Sequence, residues 1–163
     1  MFKTLADFFA VWKYESASTI KILELLTDES LAVAIYPEGR TLGRLANHLI
    51  ETLTEMPKRM GLPLDEVYPA HTSVKELVED YKKKSEEFVA SINETWTDAN
   101  LSELRDMYGE PWSVSSSLHS LILHQVHHRG QMTTMMRLLG LPVTGIYGPA
   151  REEWARMGME PLP

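Results

Sequence analysis

Apolar residues recur at intervals of three and four along most of this chain, which is the spacing of one face of an α-helix. In the first such run, Leu5, Phe8 and Trp12 begin an apolar face that continues to Leu26. Four long segments share the pattern, and they cover about residues 4–26, 41–56, 74–95 and 116–139. Because each helix has an apolar face to bury, the pattern predicts an all-α fold, a four-helix bundle with short extra helices.

Residues with known preferences for helix ends set the predicted boundaries. Thr41 is a good N-cap for the second helix, because its hydroxyl can accept a hydrogen bond from a free backbone amide. Pro57 lacks an amide hydrogen and crowds the preceding turn, so this helix should kink or stop near Met56. Ser73 and Glu76 form a capping-box pattern, which predicts that the third helix begins directly after Ser73.

The segments between and after the long helices carry weaker patterns. Residues 97–115 form a long connection, in which Leu101–Met107 has the composition of a short helical turn. Pro149 suits the first turn of a final short helix that would end near Arg156. We find no alternation of apolar and polar residues long enough to predict a β-strand.

Composition narrows the class of protein. A length of 163 residues predicts one domain over residues 1–163, and a net charge of −7 argues against nucleic-acid binding. The absence of cysteine excludes disulfides, thiolate catalysis and cysteine-bound metal clusters. The chain has neither the apolar core of a signal peptide nor a run of about 20 apolar residues. We therefore expect a cytoplasmic protein that binds neither nucleic acid nor membranes.

Three of the six histidines lie within five positions, at His124, His127 and His128. Helix residues four apart point in nearly the same direction, so His124 and His128 can hold one metal ion. His127 is turned by about 100° from His128 and should face elsewhere. Imidazole is the commonest metal ligand in proteins, and this pair predicts a metal site on the last long helix.

A pair of histidines usually needs a third ligand, and His48 on the second helix is the best candidate. Its neighbours on the same helix face, Leu45 and Leu49, belong to the apolar stripe, so His48 should point into the bundle. A single inward histidine is more often a hydrogen-bonded core residue than a metal ligand, and the sequence leaves both interpretations open. If His48 is a ligand, three neutral imidazoles leave coordination positions free, as in catalytic metal sites.

Other residues near these histidines are less decisive. The metalloprotease motif requires Glu directly after the first histidine, and Gln125 occupies that position. Glu51 lies three residues after His48 and could orient an imidazole or act as a base. Arg129 and Gln131 suit either a supporting role at the metal or a solvent-facing position. Gly130 weakens a helix, which suggests the close approach of a neighbouring helix or loop.

The sequence resembles the DinB/YfiT-like superfamily. The resemblance rests on the H-x-x-x-H-R-G-Q pattern from His124 to Gln131, on His48, and on the tail sequence GIYGPAREEW. It implies a four-helix bundle, often a homodimer, in which a divalent ion is held by three histidines. At matching positions these are His48, His124 and His128, and the ion is a transition metal such as nickel or zinc.

The resemblance also suggests a reaction class. Some relatives are thiol-dependent enzymes that transfer bacillithiol or catalyse mycothiol-dependent isomerisation. Since this chain has no cysteine, a sulfur nucleophile would come from a low-molecular-weight thiol. The leading hypothesis is therefore a metal-dependent enzyme, a thiol-dependent S-transferase that acts on an electrophilic small-molecule substrate. The alternatives are a metal-dependent hydrolase and a non-catalytic, metal-binding bundle with a role in stress responses.

Overall fold

The computed structural model describes residues 1–161 and is built on four long α-helices. The helices are α1 (Leu5–Leu23), α2 (Leu42–Arg59), α3 (Val74–Thr95) and α4 (Val114–Leu138). Single-turn 3-10 helices lie at Glu29–Ala32, Asp98–Ser102, Arg151–Glu153 and Ala155–Met157. The predicted helical fold is confirmed, and α3 begins and ends where the sequence indicated.

The order of the helices around the bundle differs from their order in the chain. Helix α1 packs mainly against α3 and α4, and α2 packs mainly against the same two helices. The consecutive helices α1 and α2 therefore lie across the diagonal of the bundle. Phe8 and Trp12 of α1 meet Phe88 of α3 edge-on, with ring centroids 5.8 and 5.4 Å apart. Because α2 and α4 are direct neighbours, side chains from their facing sides can build one site.

An antiparallel hairpin precedes α4, where the sequence predicted a helical turn and no strand. It consists of β1 (Leu104–Met107) and β2 (Glu110–Ser113), with Leu104 opposite Ser113. Tyr108 and Gly109 form the turn with φ values of 61° and 90°, which is the left-handed backbone of a tight hairpin turn. The prediction was wrong because strands of four residues are too short to show alternation.

Helix α2 passes through Pro57 and ends at Arg59, one turn later than predicted. A proline this close to a helix end removes a single hydrogen bond, and the following backbone bonds are intact. The amide of Met60 donates to the carbonyl of Met56 at 3.0 Å, and the amide of Leu62 donates to the carbonyl of Pro57 at 3.0 Å. The prediction that α2 ends at Met56 was therefore wrong.

The capping of α3, the start of α4 and the form of the tail also differ from prediction. The hydroxyl of Ser73 makes no capping hydrogen bond, and the carboxylate of Asp28 instead accepts from the amide of Val74 at 2.7 Å. Ser113 caps α4, which places the start of that helix two residues before Ser116. The tail after Pro149 forms two short 3-10 turns rather than one helix.

No helix within residues 1–161 combines the length and apolar character that a bilayer crossing requires.

Candidate metal centre

Three imidazole rings meet between α2 and α4. His48 comes from α2, while His124 and His128 lie one turn apart on α4. The Nε2 atom of His124 lies 3.0 Å from Nε2 of His48 and 3.1 Å from Nε2 of His128. Ligand atoms of the three rings all lie within 4.8 Å of one another. The structure thus brings together the three histidines that the sequence nominated as ligands.

The outer nitrogens of two rings are held by acceptors on the same helices. Nδ1 of His48 donates to Oε2 of Glu51 at 3.0 Å, and Nδ1 of His128 donates to Oε1 of Gln131 at 2.7 Å. A carboxylate has no proton to give, so Nδ1 of His48 carries the hydrogen and Nε2 presents a lone pair to the cluster. Glu51 and Gln131 therefore orient the two rings, as hydrogen-bond acceptors commonly do beside metal-binding histidines.

The surroundings keep the imidazoles of His124 and His128 neutral. Burial lowers the pKa of His124 to about 4, with the nearby His128 and His48 acting in the same direction. Burial also lowers the pKa of His128, against the hydrogen bond to Gln131. For Glu51, burial raises the pKa, but the hydrogen bond from His48 and the charge of Arg44 outweigh it and leave the pKa below its ordinary value. The site therefore combines two neutral imidazoles, those of His124 and His128, with an ionised supporting carboxylate.

This arrangement fits a divalent transition metal ion. Two nitrogens that each lie about 2.0–2.1 Å from one ion are roughly 2.9–3.4 Å apart, depending on the coordination angle. The two short Nε2–Nε2 distances at His124, 3.0 and 3.1 Å, match that separation. Lone pairs this close repel one another unless a proton or a cation lies between them. Imidazole donors suit zinc, nickel, copper and iron.

The other histidines lie outside this cluster. His127 is exposed, and its ring centroid is 5.0 Å from that of His128 without its nitrogens joining the three-ring group. His71 lies on the loop before α3 and pairs with Asp80 at 2.8 Å. Gly130 is not explained by the close approach that the sequence suggested, because a Cβ atom there would meet nothing within 4 Å.

Two polar residues whose burial the sequence analysis did not predict hold α4 in position. Gln125 is fully buried, and its amide nitrogen donates to the carbonyl of Leu49 at 3.0 Å and to the hydroxyl of Thr52 at 3.1 Å, both on α2. Arg129 is 2% exposed and donates to the backbone carbonyl of Glu15 on α1 at 2.7 Å. Each residue directly follows a histidine of the cluster, so these bonds fix the rotation of α4 at both rings.

The spacing of residues along α4 predicts the burial of Gln125 and Arg129. Gln125 lies four residues after Leu121, and Arg129 lies four residues after Gln125, so both continue the apolar stripe of α4. A polar residue in such a stripe is buried with a partner or is functional. The sequence did not decide whether Arg129 and Gln131 support the metal site or face solvent. In the structure, Arg129 is buried against α1, and Gln131 accepts a hydrogen bond from His128.

Two cavities border the histidines. The first, the Arg59 pocket, has a volume of about 460 Å³ and is lined by His48, His124, Glu51, Arg59, Tyr108 and Trp112, among others. The second, the Arg40 pocket, has a volume of about 450 Å³ and is lined by His128, Gln131, Ile35, Tyr36, Arg40 and Met135, among others. Both volumes suit a small molecule, and each cavity reaches at least one ring of the cluster.

We expect the metal-free protein to lose stability as the pH falls from 7 towards 4. His124 has a folded-state pKa of about 4 and ordinarily titrates near 6.5, so between these values the unfolded chain binds more protons. The free energy of unfolding therefore falls as the pH drops through 6.5. Urea titrations of chelator-treated protein measure this slope, and His124→Gln should make it shallower. An identical slope in the variant would contradict the prediction.

Comparisons with known proteins agree with this fold. A family model described as "DinB family" matches residues 1–161. The chain is 42% identical over 163 residues to the uncharacterized protein YrdA of Bacillus subtilis (strain 168), covering 98% of each chain. A crystal structure of a DinB-like protein from Bacillus cereus ATCC 10987 superposes with a TM-score of 0.86 at 41% identity, covering 90% of this chain and 100% of that one. The DinB-like protein YjoA of Bacillus subtilis shares the fold, with a TM-score of 0.69 at 14% identity over 88% of this chain and 99% of that one.

Proposed function

The chain belongs to the DinB family, and from this premise we propose that it is a divalent-metal-dependent enzyme that joins a low-molecular-weight thiol to an electrophilic small molecule. The observation that carries the proposal is the convergence of three imidazoles whose Nε2 atoms face one another. His48, His124 and His128 would hold the ion, nickel or zinc. A divalent ion held by neutral ligands supplies positive charge that lowers the pKa of a thiol and favours its anion.

The chain's own residues would prepare the site for this chemistry. Glu51 and Gln131 hold the rings of His48 and His128 by their Nδ1 atoms, which keeps the Nε2 lone pairs directed into the cluster. The lowered pKa of Glu51 makes it a weak base, so its geometry supports a positioning role. Its Oε2 atom is also engaged by Arg44 at 3.0 Å. The sequence hypothesis of Glu51 as an orienting residue is therefore preferred to that of a catalytic base.

A thiol nucleophile is favoured because the protein lacks a sulfur nucleophile of its own. The chain contains no cysteine, so an attacking thiol must enter as a small molecule. In the proposed reaction the thiol releases its proton to solvent, and the sulfur lone pair forms a bond to an electrophilic carbon. The leaving group departs with the electrons of the bond that breaks. Two cavities at the cluster offer space for two reactants.

We expect turnover of an activated aryl halide to require both metal and thiol. The test uses 1-chloro-2,4-dinitrobenzene with bacillithiol, mycothiol or cysteine, and follows the thioether product after subtraction of the uncatalysed rate. Chelation should lower the rate by about 100-fold or more, since a metal ion contributes several kcal/mol of charge stabilisation. Activity that is independent of thiol would overturn the transferase and favour metal-dependent hydrolysis.

A non-catalytic role for the metal has a different signature. A structural ion stabilises the fold, so chelation should then leave the chain partly unfolded. An enzymatic ion is required for turnover, and the chelated protein should remain folded and inactive. Circular dichroism of the chelated protein, measured alongside turnover, separates these outcomes.

A further inference from the structure

The Arg40 pocket combines apolar walls with one cation. Leu45 and Met135, from α2 and α4, are buried in its lining, while Ile35 and Tyr36 are large exposed residues at its edge. His128 of the three-ring cluster also lines it. The pocket therefore places apolar surface and a guanidinium beside the proposed reaction centre.

Arg40 differs from the arginines that belong to the other side of the site. Arg44 pairs with Glu51 at 3.0 Å, and Arg59 pairs with Glu55 while lying 4.7 Å over the ring of Tyr108. Within residues 1–161, no carboxylate lies within 4.0 Å of the Arg40 side chain, and its guanidinium makes no hydrogen bond. The charge of Arg40 is thus available to a ligand, whereas those of Arg44 and Arg59 are already balanced.

Backbone hydrogen bonds stabilise the loop of residues 33–42, which forms one edge of the Arg40 pocket. The amide of Leu42 donates to the carbonyl of Val33, and the amide of Gly39 donates to the carbonyl of Tyr36, both at 2.9 Å. A Cβ atom at position 39 would come within 2.9 Å of the Tyr36 ring, so glycine is needed for this ring to lie where it does. The backbone from Tyr36 to Gly39 therefore forms a tight turn, and Arg40 directly follows it.

We propose that the Arg40 pocket binds a small molecule with an apolar body and a single carboxylate, which pairs with the Arg40 guanidinium. The planar fork of a guanidinium matches a carboxylate, and one cation balances one negative charge. The inference rests on the proposed function in one respect: this molecule is one of the two reactants that meet at the histidines. Its binding, however, depends on Arg40 and the apolar walls, so it can be measured with or without metal.

The test compares three probes that share an apolar body: 4-phenylbutyrate, 4-phenylbutan-1-ol and 4-phenylbutylamine. Dissociation constants are measured by NMR titration on metal-loaded and chelated protein. The carboxylate should bind most tightly, and Arg40→Gln should weaken its binding about tenfold or more, because the variant loses the charge that pairs with the carboxylate. Affinity for the alcohol should stay unchanged. Arg40→Lys should restore part of the carboxylate affinity.

Arg59→Gln provides the matched control, because it removes a guanidinium from the other cavity. It should leave 4-phenylbutyrate affinity unchanged. The proposal is overturned if Arg40→Gln has no effect, if Arg59→Gln has an equal effect, or if the carboxylate binds only to metal-loaded protein regardless of Arg40. Metal content is determined separately on the same samples. If the protein takes up neither nickel nor zinc but still binds 4-phenylbutyrate through Arg40, the proposed enzyme fails and the proposal for this pocket stands.

Discussion

Replacing His128 with alanine is expected to abolish stoichiometric binding of nickel or zinc, whereas replacing His127 with alanine leaves binding intact. Nε2 of His128 lies 3.1 Å from Nε2 of His124 inside the cluster, while the neighbouring His127 is exposed and outside it. Loss of one nitrogen donor should weaken binding by more than about 100-fold, beyond the range for loss of a residue that only supports a ligand. Metal content of the purified variants by mass spectrometry checks this.

Glu51→Ala should bind metal more weakly than His127→Ala and more tightly than His128→Ala. It removes the acceptor that holds Nδ1 of His48, and such losses typically weaken metal binding 10–100-fold. Glu55→Ala is its control, because Glu55 lies one turn further along α2 and pairs with Arg59 and Tyr108 instead. Equal loss of metal from His127→Ala and His128→Ala would mean that the ion binds on another face of α4.

The meeting of the three histidines could be predicted because it depends on helix periodicity. His124 and His128 share a face at any position of their helix, and the apolar neighbours of His48 fix its direction. The remaining step, that α2 and α4 are neighbours, follows from the arrangement of the bundle, which the family resemblance supplied and spacing alone did not. Metal binding by these rings stays a prediction.

The rest of the site depends on features that leave little trace in a single sequence. The hairpin that supplies Tyr108 and Trp112 to the Arg59 pocket has strands of only four residues. Arg40 lies in a loop whose path is set by backbone hydrogen bonds, so no periodicity indicates which cavity it lines. The two cavities arise where loops cover neighbouring helices, and spacing along one helix carries no information about them.

Arg129 is a charged residue buried inside the bundle, and its replacement should have a large effect on stability. Its guanidinium contacts the carboxylate of Glu15 and donates to the hydroxyl of Thr19 at 3.0 Å and to that of Tyr147 at 2.6 Å. The side chains of Arg129 and Glu15 are 3% and 7% exposed. Tyr147 comes from the tail after α4 and also donates to Glu15 at 2.7 Å. One buried ion pair thus joins α1, α4 and the tail.

Arg129→Met should lower the free energy of unfolding by about 3–5 kcal/mol, since it leaves the buried Glu15 carboxylate without its cation, and the hydrogen bond from Tyr147 does not balance that charge. For a chain of this length, the midpoint of thermal unfolding should fall by roughly 6–20 °C. Arg137→Met is the matched control on the same helix. Its ion pair with Glu152 is about two-fifths exposed on both side chains, and exposed pairs contribute roughly 0–1 kcal/mol.

The double variant Glu15→Met with Arg129→Met separates loss of the pair from loss of packing. If the cost of Arg129→Met comes from an orphaned carboxylate, removing Glu15 as well should restore part of the stability, because an apolar pair can replace a buried ion pair at little cost. Denaturant titrations of the single and double variants measure this coupling. Strictly additive losses would show that the two side chains act independently, and that Arg129 stabilises α4 through packing and its backbone contacts rather than through Glu15.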